Sequence, residues 1–330
     1  MKKVLGIGNA LVDVLIRIES DALLEELGLA KGSMTLVDQD QVNAVLEKTK
    51  QYDKQKSSGG SAANAINGLA RLGVDTGYIG KIGDDEFGRF FDSDMQEKKV
   101  ETQLLNGNQQ TGKCVVLISP DGERTFATYL GAAVELDKAD LTQPMFSNGF
   151  DYFHLEGYLV QNTEMLEKAA RLAKDAGLKI AIDLASFNMV EAFKDFIHRI
   201  VEEYVDVVFA NEEEARVFSG HEDAEAAAEF IAKKTDIAVV KCGGDGSVIM
   251  RGDNKYKVDP IEATVVDTTG AGDLYAAGFF YGLANEYPLD ACGKIGSILG
   301  GNVVQVIGAK MNEERWTGIE AAVKKIEASL

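Results

Sequence analysis

Apolar positions along the chain switch spacing repeatedly, and each switch marks an element. Val4-Leu5-Gly6-Ile7-Gly8 is a continuous apolar run ending on glycine, the pattern of a strand covered on both faces. Residues 12–18 are rich in β-branched side chains with polar ones between them, and residues 33–37 have a similar texture, so both predict strands. Asp38, with Gln41 three residues on, is a capping box and predicts a helix to about Lys48. Ser57-Ser58-Gly59-Gly60-Ser61-Ala62-Ala63-Asn64 reads as a loop-to-helix junction, opening an apolar helix through Leu72. Residues 78–88 read as strand, turn and acid-capped helix, with Asp84 and Asp85 solvated at the cap and the helix continuing to about Lys99. Residues 112–129 form the clearest hairpin, two β-rich runs about the turn Pro120-Asp121-Gly122. With 12–18 and 33–37 the hairpin predicts a small antiparallel sheet built from separated segments.

From about Val134 onward, strands and helices alternate, as a parallel sheet with crossover helices requires. Strands are expected at 152–155, 180–183, 205–210, 237–241 and 247–250. Helices intervene, such as 162–176, stopped by Gly177, and 224–234. Near the C-terminus come an apolar helix over 292–306, a Gly308-Ala309 turn and a surface helix over 320–329, with Trp316 a packing residue. Active groups in such a sheet gather at the carboxyl ends of strands.

Composition narrows the class. The 330 residues are 45% hydrophobic with four prolines, which suits an ordered globular protein of one large α/β domain with an appendage, or of two domains. A formal net charge of −19 works against DNA or RNA as a partner. Cys114, Cys242 and Cys292 lie far apart with no Cys-x-x-Cys, which excludes a zinc ribbon or disulfide framework and suits a reducing cytosol. His154, His198 and His221 are equally scattered. Met1-Lys2-Lys3 before an apolar run has the outline of a signal peptide, but Asn9, Asp13 and Arg17 interrupt it and no cleavage pattern follows. The longest apolar run, 276–284, is too short to span a bilayer. The expectation is a soluble, cytoplasmic protein that binds neither nucleic acid nor membrane.

The stretch richest in chemistry is Val265-Val266-Asp267-Thr268-Thr269-Gly270-Ala271-Gly272-Asp273, which runs on into an Ala-rich apolar segment. It reads as strand, tight turn and helix N-terminus, where first-turn N–H groups lack intrahelical partners and favour an anion. An Asp in that first turn has two readings: it complements the helix dipole, or it is a base that takes a proton from a hydroxyl attacking phosphorus. Asp267-Thr268-Thr269-Gly270-Ala271-Gly272-Asp273 resembles the C-terminal signature of the ribokinase-like (PfkB) family of carbohydrate and nucleoside kinases. The resemblance implies that Asp273 is the catalytic base and that the Gly270, Ala271 and Gly272 amides form the anion hole.

Other motifs follow in the family's order. Gly8-Asn9-x-x-x-Asp13 resembles the opening of the adenosine-kinase branch, which implies that Asn9 and Asp13 hold a ribose. Gly59-Gly60-x-x-x-Asn64 resembles the N-terminal signature that contacts the acceptor, with Gly73 and Gly83 in step and Ile66 departing where a small residue is usual. Asn211-x-x-Glu214 resembles the motif that organises hydrated Mg²⁺. Lys241-Cys242-Gly243-Gly244-Asp245-Gly246 resembles the loop beneath ATP, which implies that Lys241, Gly243 and Gly246 bind the nucleotide; no Gly-Lys-Ser/Thr follows, so it is not a Walker loop. By the same resemblance Asp267, Thr269 and Gly308 are candidates for a monovalent cation such as K⁺, and Asn302 lies near the adenine.

The resemblance implies a three-layer αβα ribokinase-like fold with a mostly parallel central sheet and a small β-sheet lid. Residues 1–10, 42–101 and 134–330 would form the large catalytic domain, and 11–41 and 102–133 the lid, which doubles as a dimer interface in several members. Arg124, on the lid hairpin, reads as an exposed lid arginine within reach of the substrate. The activity implied is ATP- and Mg²⁺-dependent phosphorylation of a hydroxyl on a small sugar or nucleoside. The opening motif and Thr128-Tyr129-Leu130-Gly131-Ala132 look like bacterial adenosine-kinase-type members, and Phe126, Tyr129 and Phe187 are candidates to stack on a base. Ribose, fructose or a keto-deoxy sugar acid is the alternative acceptor. Two rivals come from other classes. Gly6-Ile7-Gly8-Asn9-Ala10-Leu11 nearly makes a dinucleotide fingerprint for a nicotinamide-dependent oxidoreductase, with Leu11 where the third small residue belongs. A catalytically silent sugar-binding relative is the other, and Asp273 weighs against it.

Overall fold

In the computed structural model, which describes residues 1–330, fourteen strands sort into two sheets. They are β1 (Val4–Ile7), β2 (Leu11–Arg17), β3 (Met34–Leu36), β4 (Lys54–Gly59), β5 (Thr76–Ile82), β6 (Val100–Asn106), β7 (Gly112–Ile118), β8 (Arg124–Tyr129), β9 (Tyr152–Glu156), β10 (Lys179–Asp183), β11 (Val207–Asn211), β12 (Ile237–Lys241), β13 (Ser247–Arg251) and β14 (Asn254–Val258). The large sheet runs β14-β13-β12-β11-β10-β9-β1-β5-β6. It is parallel from β12 to β6 and antiparallel at β12/β13 and β13/β14. Side chains of β1 alternate between its two covers: Val4 joins the core under the helices Ser61–Arg71, Ala271–Ala284 and Leu289–Val303. Leu5 and Ile7 join the core under Thr163–Asp175, Lys194–Tyr204 and Ala224–Ala232. Coverage on both faces explains the unbroken apolar runs and yields three layers, helix, sheet and helix.

The small sheet runs β3-β8-β7-β2-β4 and is mixed rather than antiparallel. The β7/β8 hairpin and β2/β4 are antiparallel, while β2/β7 and β3/β8 are parallel, because the partners come from distant segments rather than from further hairpins. Residues 54–59, expected as part of the large body and a loop, form strand β4 of the small sheet; the run Lys-Gln-Lys-Ser-Ser-Gly carries no apolar period to announce it. Residues 102–106, expected in the lid, belong to β6 and extend the large sheet beside β5. Val265 and Val266, expected to end a strand, stand exposed in an irregular segment, held by N–H bonds from Val266 and Asp267 to Val304 O. Strand β14 and the helices Phe187–Ala192 and Lys194–Tyr204 add elements beyond those expected.

Two features of this frame place the chemistry. The carboxyl edge of the parallel sheet brings Glu156 beside Asp183 and Asn211 beside Lys241 in register, with Asn9 two residues past β1. Helix Ala271–Ala284 is apolar all round and buried from Leu274 onward, as befits a helix enclosed by other elements. Gly278 and Gly282 let the helix Leu289–Val303 approach to backbone contact: a Cβ at 278 would lie 2.5 Å from Ile295 O, and one at 282 would lie 2.6 Å from Cys292 Sγ. Its N-terminus is therefore fixed in position at the sheet's edge. No helix is long and apolar enough to cross a membrane.

Candidate active site

Gly270 takes a left-handed conformation (φ 77°), which turns the chain from the Thr268-Thr269 segment into the helix. Ala271 N–H donates to Thr268 O and Leu274 N–H to Gly270 O. The N–H groups of Gly270, Gly272 and Asp273 have no protein acceptor. The free donors thus differ from the expected Gly270, Ala271 and Gly272 in one member, Asp273 standing in for Ala271, whose amide the turn itself consumes.

Asp273 meets the first turn of the helix Ser61–Arg71. Ser61 Oγ donates to its Oδ1 at 2.6 Å and Asn64 Nδ2 to its Oδ2 at 2.9 Å. Burial pushes its carboxyl up to about 6; the bonds from Ser61 and Asn64 pull it down, and the charge of Asp183 adds to the rise. A carboxylate ionised near neutrality yet basic for its type is what a general base requires.

The double glycine brings this helix start against the first strand pair. Gly60 has φ 102°, and a Cβ there would lie 2.1 Å from Asn9 O. A Cβ on Gly59 would lie 2.3 Å from the Asp13 carboxylate, so only glycine leaves Asp13 its place. Burial, and then the charge of Asp273, pushes Asp13 up to about 7. Asn9 is buried and donates from Nδ2 to Glu156 Oε1 at 2.5 Å, while Ala62 N–H donates to Glu156 Oε2 at 3.1 Å. Burial raises Glu156 to about 7 against those two bonds. Asn9, Asp13, Gly59, Gly60, Asn64 and Asp273 are therefore brought together, with Ser61 and Glu156 among them. Their signals were present: Ser61 lies inside the double-glycine motif, and Glu156 is an acid ending an apolar strand.

The near-fingerprint Gly6-Ile7-Gly8 has a packing cause instead of a dinucleotide. A Cβ on Gly6 would lie 2.6 Å from Ile66 Cγ1, and one on Gly8 would lie 2.3 Å from Glu156 Oε2. Gly6 thus makes the room that the bulk of Ile66 takes. The segment after Gly8 enters β2 rather than a helix, so it presents no helix N-terminus to a pyrophosphate.

Farther along the edge, Asn211 caps the helix Glu212–Ser219 in a reciprocal box. Glu214 N–H donates to Asn211 Oδ1 at 2.9 Å, while Asn211 N–H and Nδ2 donate to the two oxygens of Glu214 at 2.8 and 2.7 Å. Glu214 is buried, and burial together with the charge of Asp183 raises it to about 7, with Lys241 opposing. A crowded carboxylate whose oxygens are already bonded to Asn211 fits a hydrated Mg²⁺ reached through water better than a directly ligated ion. Lys241 Nζ donates to Asp183 Oδ2 at 2.7 Å. Gly243 (φ 52°) and Gly246 (φ 86°) shape the turn after β12, and a Cβ on Gly246 would lie 2.0 Å from Val258 O. Asn302 donates to Ile298 O at 2.8 Å and accepts from Arg315 at 3.2 Å.

Asp267, Thr269 and Gly308 do come together, but around a protein cation. Asp267 Oδ1 accepts from Thr269 N–H at 2.7 Å and Oδ2 from Gly308 N–H at 2.6 Å. The Arg124 guanidinium, reaching across from β8, forms an ion pair with Asp267 and donates to Thr269 Oγ1 at 3.2 Å. Arg124 is largely buried rather than an exposed lid arginine. With Asp267 engaged by two amides and a guanidinium, and Thr269 Oγ1 accepting as well, this donor set does not fit a K⁺ ion.

A kinase of small hydroxyl compounds is what a base beside free helix-start amides can serve, and comparison with known proteins agrees. The model of the pfkB family carbohydrate kinases matches residues 32–315. The chain is 35% identical to the solved adenosine kinase from Sinorhizobium meliloti, with a TM-score of 0.84 over 97% of this chain and 99% of that one. It is 33% identical to a probable sugar kinase from Rhizobium etli CFN 42, with a TM-score of 0.85 over 97% and 98%. A 5-dehydro-2-deoxygluconokinase from Bacillus velezensis is 30% identical over 77% of this chain and 81% of its own. The chain belongs to the PfkB family of carbohydrate kinases and is a phosphotransferase for a small sugar or nucleoside.

Proposed function

We propose that the protein transfers the γ-phosphoryl group of ATP to a hydroxyl of a neutral nucleoside, with an adenosine-like compound favoured. The observation that carries the choice is electrostatic. Asp13, Glu156 and Asp273 face the acceptor side, all raised by burial, and the polar groups among them are Asn9, Ser61 and Asn64. Lys241, bound to Asp183, stands against Gly272, and Arg124 is paired with Asp267, so neither is placed to neutralise a carboxylate of an acceptor held by Asn9 and Asp13. A sugar acid would meet three carboxylates in a low-dielectric crevice, whereas a neutral polyol finds hydrogen-bond acceptors for its hydroxyls. The face of β2 that carries Asp13 continues to Leu15, which with Ile307, Ala309 and Met311 borders a cleft of about 240 Å³. Gln55, Lys310 and Asn312 line the same cleft, so its lining is mixed: a base, apolar on its faces and polar at its edge, suits it, and a bare pentose would leave it wet.

In this reading Asp273 takes the proton of the attacking hydroxyl while its oxygen bonds to the γ-phosphorus and the bond to the β-phosphate oxygen breaks, leaving ADP. The free amides of Gly270, Gly272 and Asp273 receive the migrating oxygens. Mg²⁺, held through water by Glu214 and Asn211, would neutralise phosphate charge. Gly243 and Gly246 shape the nucleotide loop, and Asn302 lies toward the adenine. The small sheet, closed over the site, keeps out water, the competing nucleophile. A dimer through this lid would cover Met34 and Leu36, exposed on edge strand β3.

The test is ADP release with Mg-ATP over adenosine, other nucleosides, ribose, fructose and 5-dehydro-2-deoxygluconate. Adenosine or a close analogue is expected to give the highest kcat/KM. A sugar acid ahead of every neutral acceptor overturns the electrostatic argument.

A further inference from the structure

Lys241 is placed in a way its strand does not explain. It ends β12, and its ammonium reaches across the end of β11 to Asp183 on β10, 2.7 Å away. The same nitrogen lies 2.9 Å from the point a Cβ on Gly272 would occupy, so it fills the space a side chain there would take. That point belongs to the helix start whose Gly272 and Asp273 N–H groups have no protein acceptor. A cation against a helix N-terminus is a pairing of like signs, since that end carries roughly half a positive charge. Asp183 takes one of the three ammonium protons, and no other protein acceptor takes the remaining two. Burial opposes the charge on Lys241, yet the carboxylates of Asp183, Glu214 and Asp273 hold its pKa above the ordinary lysine value. Two positive features converge on one point with unused donors on both, the arrangement that the oxygens of an anion would satisfy.

We propose that Lys241 is a catalytic residue that contacts the moving phosphoryl group, its ammonium oriented by Asp183 and completing the ring of donors begun by the amides of Gly272 and Asp273. This deepens the kinase reading above and rests on the helix start being the phosphoryl site. As the acceptor oxygen bonds to phosphorus, its proton passes to Asp273 and the bond to ADP breaks. The three equatorial oxygens then gather charge, which two N–H groups and one ammonium are placed to meet. Gly272 is part of the same device, since any side chain there would displace the ammonium.

A purely structural ion pair between Lys241 and Asp183 predicts something different: loss of stability on breaking it, and unchanged turnover once both charges are removed together. The experiment therefore uses Lys241→Ala and the double variant Lys241→Met with Asp183→Asn, measuring kcat, both KM values and thermal melting, with Asp273→Asn as reference. Expected is a fall in kcat of about 10²–10³-fold in both, the usual worth of one preorganised transition-state donor, with the acceptor KM little changed. Propylammonium, which replaces the atoms removed in Lys241→Ala, should raise that variant's turnover several-fold and leave wild type unaffected. A folded double variant with wild-type kcat overturns the proposal, as does a change confined to the KM for ATP. If Asp273→Asn is inactive while the double variant is fully active, Lys241 alone has been misread. If Asp273→Asn itself turns over normally, the kinase site is elsewhere.

Discussion

Replacing Asp273 by Asn separates catalysis from stability, because the two should move in opposite directions. The substitution is nearly isosteric. Ser61 can still donate to the new carboxamide oxygen, and Asn64 need only rotate its amide to present Oδ1, which has no other partner, to the new Nδ2. What disappears is the base. Its loss is expected to cut kcat by about 10²–10⁴, or about 3–5 kcal/mol of barrier, with substrate KM changed little. Folding should gain instead. The carboxyl is raised by burial from 3.8 to about 6, and each pKa unit corresponds to about 1.4 kcal/mol. A raised acid contributes stability below its unfolded pKa and loses it as the pH climbs through its folded value. At pH 8 the wild type therefore carries an ionised, partly desolvated carboxylate, and the variant is relieved of up to about 3 kcal/mol. Melting curves should place the variant a few degrees above wild type at pH 8, with the gap closing below pH 4. Turnover of the wild type should fall by about tenfold per pH unit below about 6. A variant that melts lower than wild type at pH 8, or that retains near-normal turnover, refutes the assignment.

Other consequences are sharper in one observable each. Glu156→Gln leaves one acceptor where Glu156 now serves both Asn9 and Ala62, so the acceptor KM should rise by roughly tenfold, the worth of one buried hydrogen bond, with a smaller effect on kcat; an unchanged KM means Asn9 does not touch the acceptor. Because Arg124 occupies Asp267 and Thr269, wild-type turnover should be the same in KCl and NaCl. Arg124→Ala should lower turnover by leaving the buried Asp267 without its cation, and K⁺ activation of the wild type would show that the guanidinium leaves during the cycle.

The fold was legible to the extent that burial writes a period into the chain. Strands covered on both faces, such as Val4–Ile7 and Ile237–Lys241 up to its terminal lysine, are apolar runs, and the hairpin about Pro120-Asp121-Gly122 carries its own turn chemistry. Capping is equally local, and Asp38 with Gln41 forms the box its spacing announces. Lys54–Gly59 escaped because a polar edge strand has no hydrophobic alternation; only pairing with Leu11–Arg17 defines it. The valines before Asp267 misled for the converse reason, since β-branched residues favour a strand but cannot supply a partner for it.

For the site, sequence determined which residue types stand near one another along the chain: an acid in a helix's first turn, glycines before it, a double glycine before another helix. Contacts between segments more than a hundred residues apart were decided only by the tertiary structure, because side-chain partners across a sheet edge leave no common period. Ser61 and Asn64 hold Asp273 from 212 and 209 residues away, Glu156 holds Asn9 across 147, and Arg124 meets Thr269 across 145. Asp183 and Lys241 each end a strand, and one alone reads as a solvated terminus; their register, two strands apart in a parallel sheet, makes them a pair aimed at the same helix start.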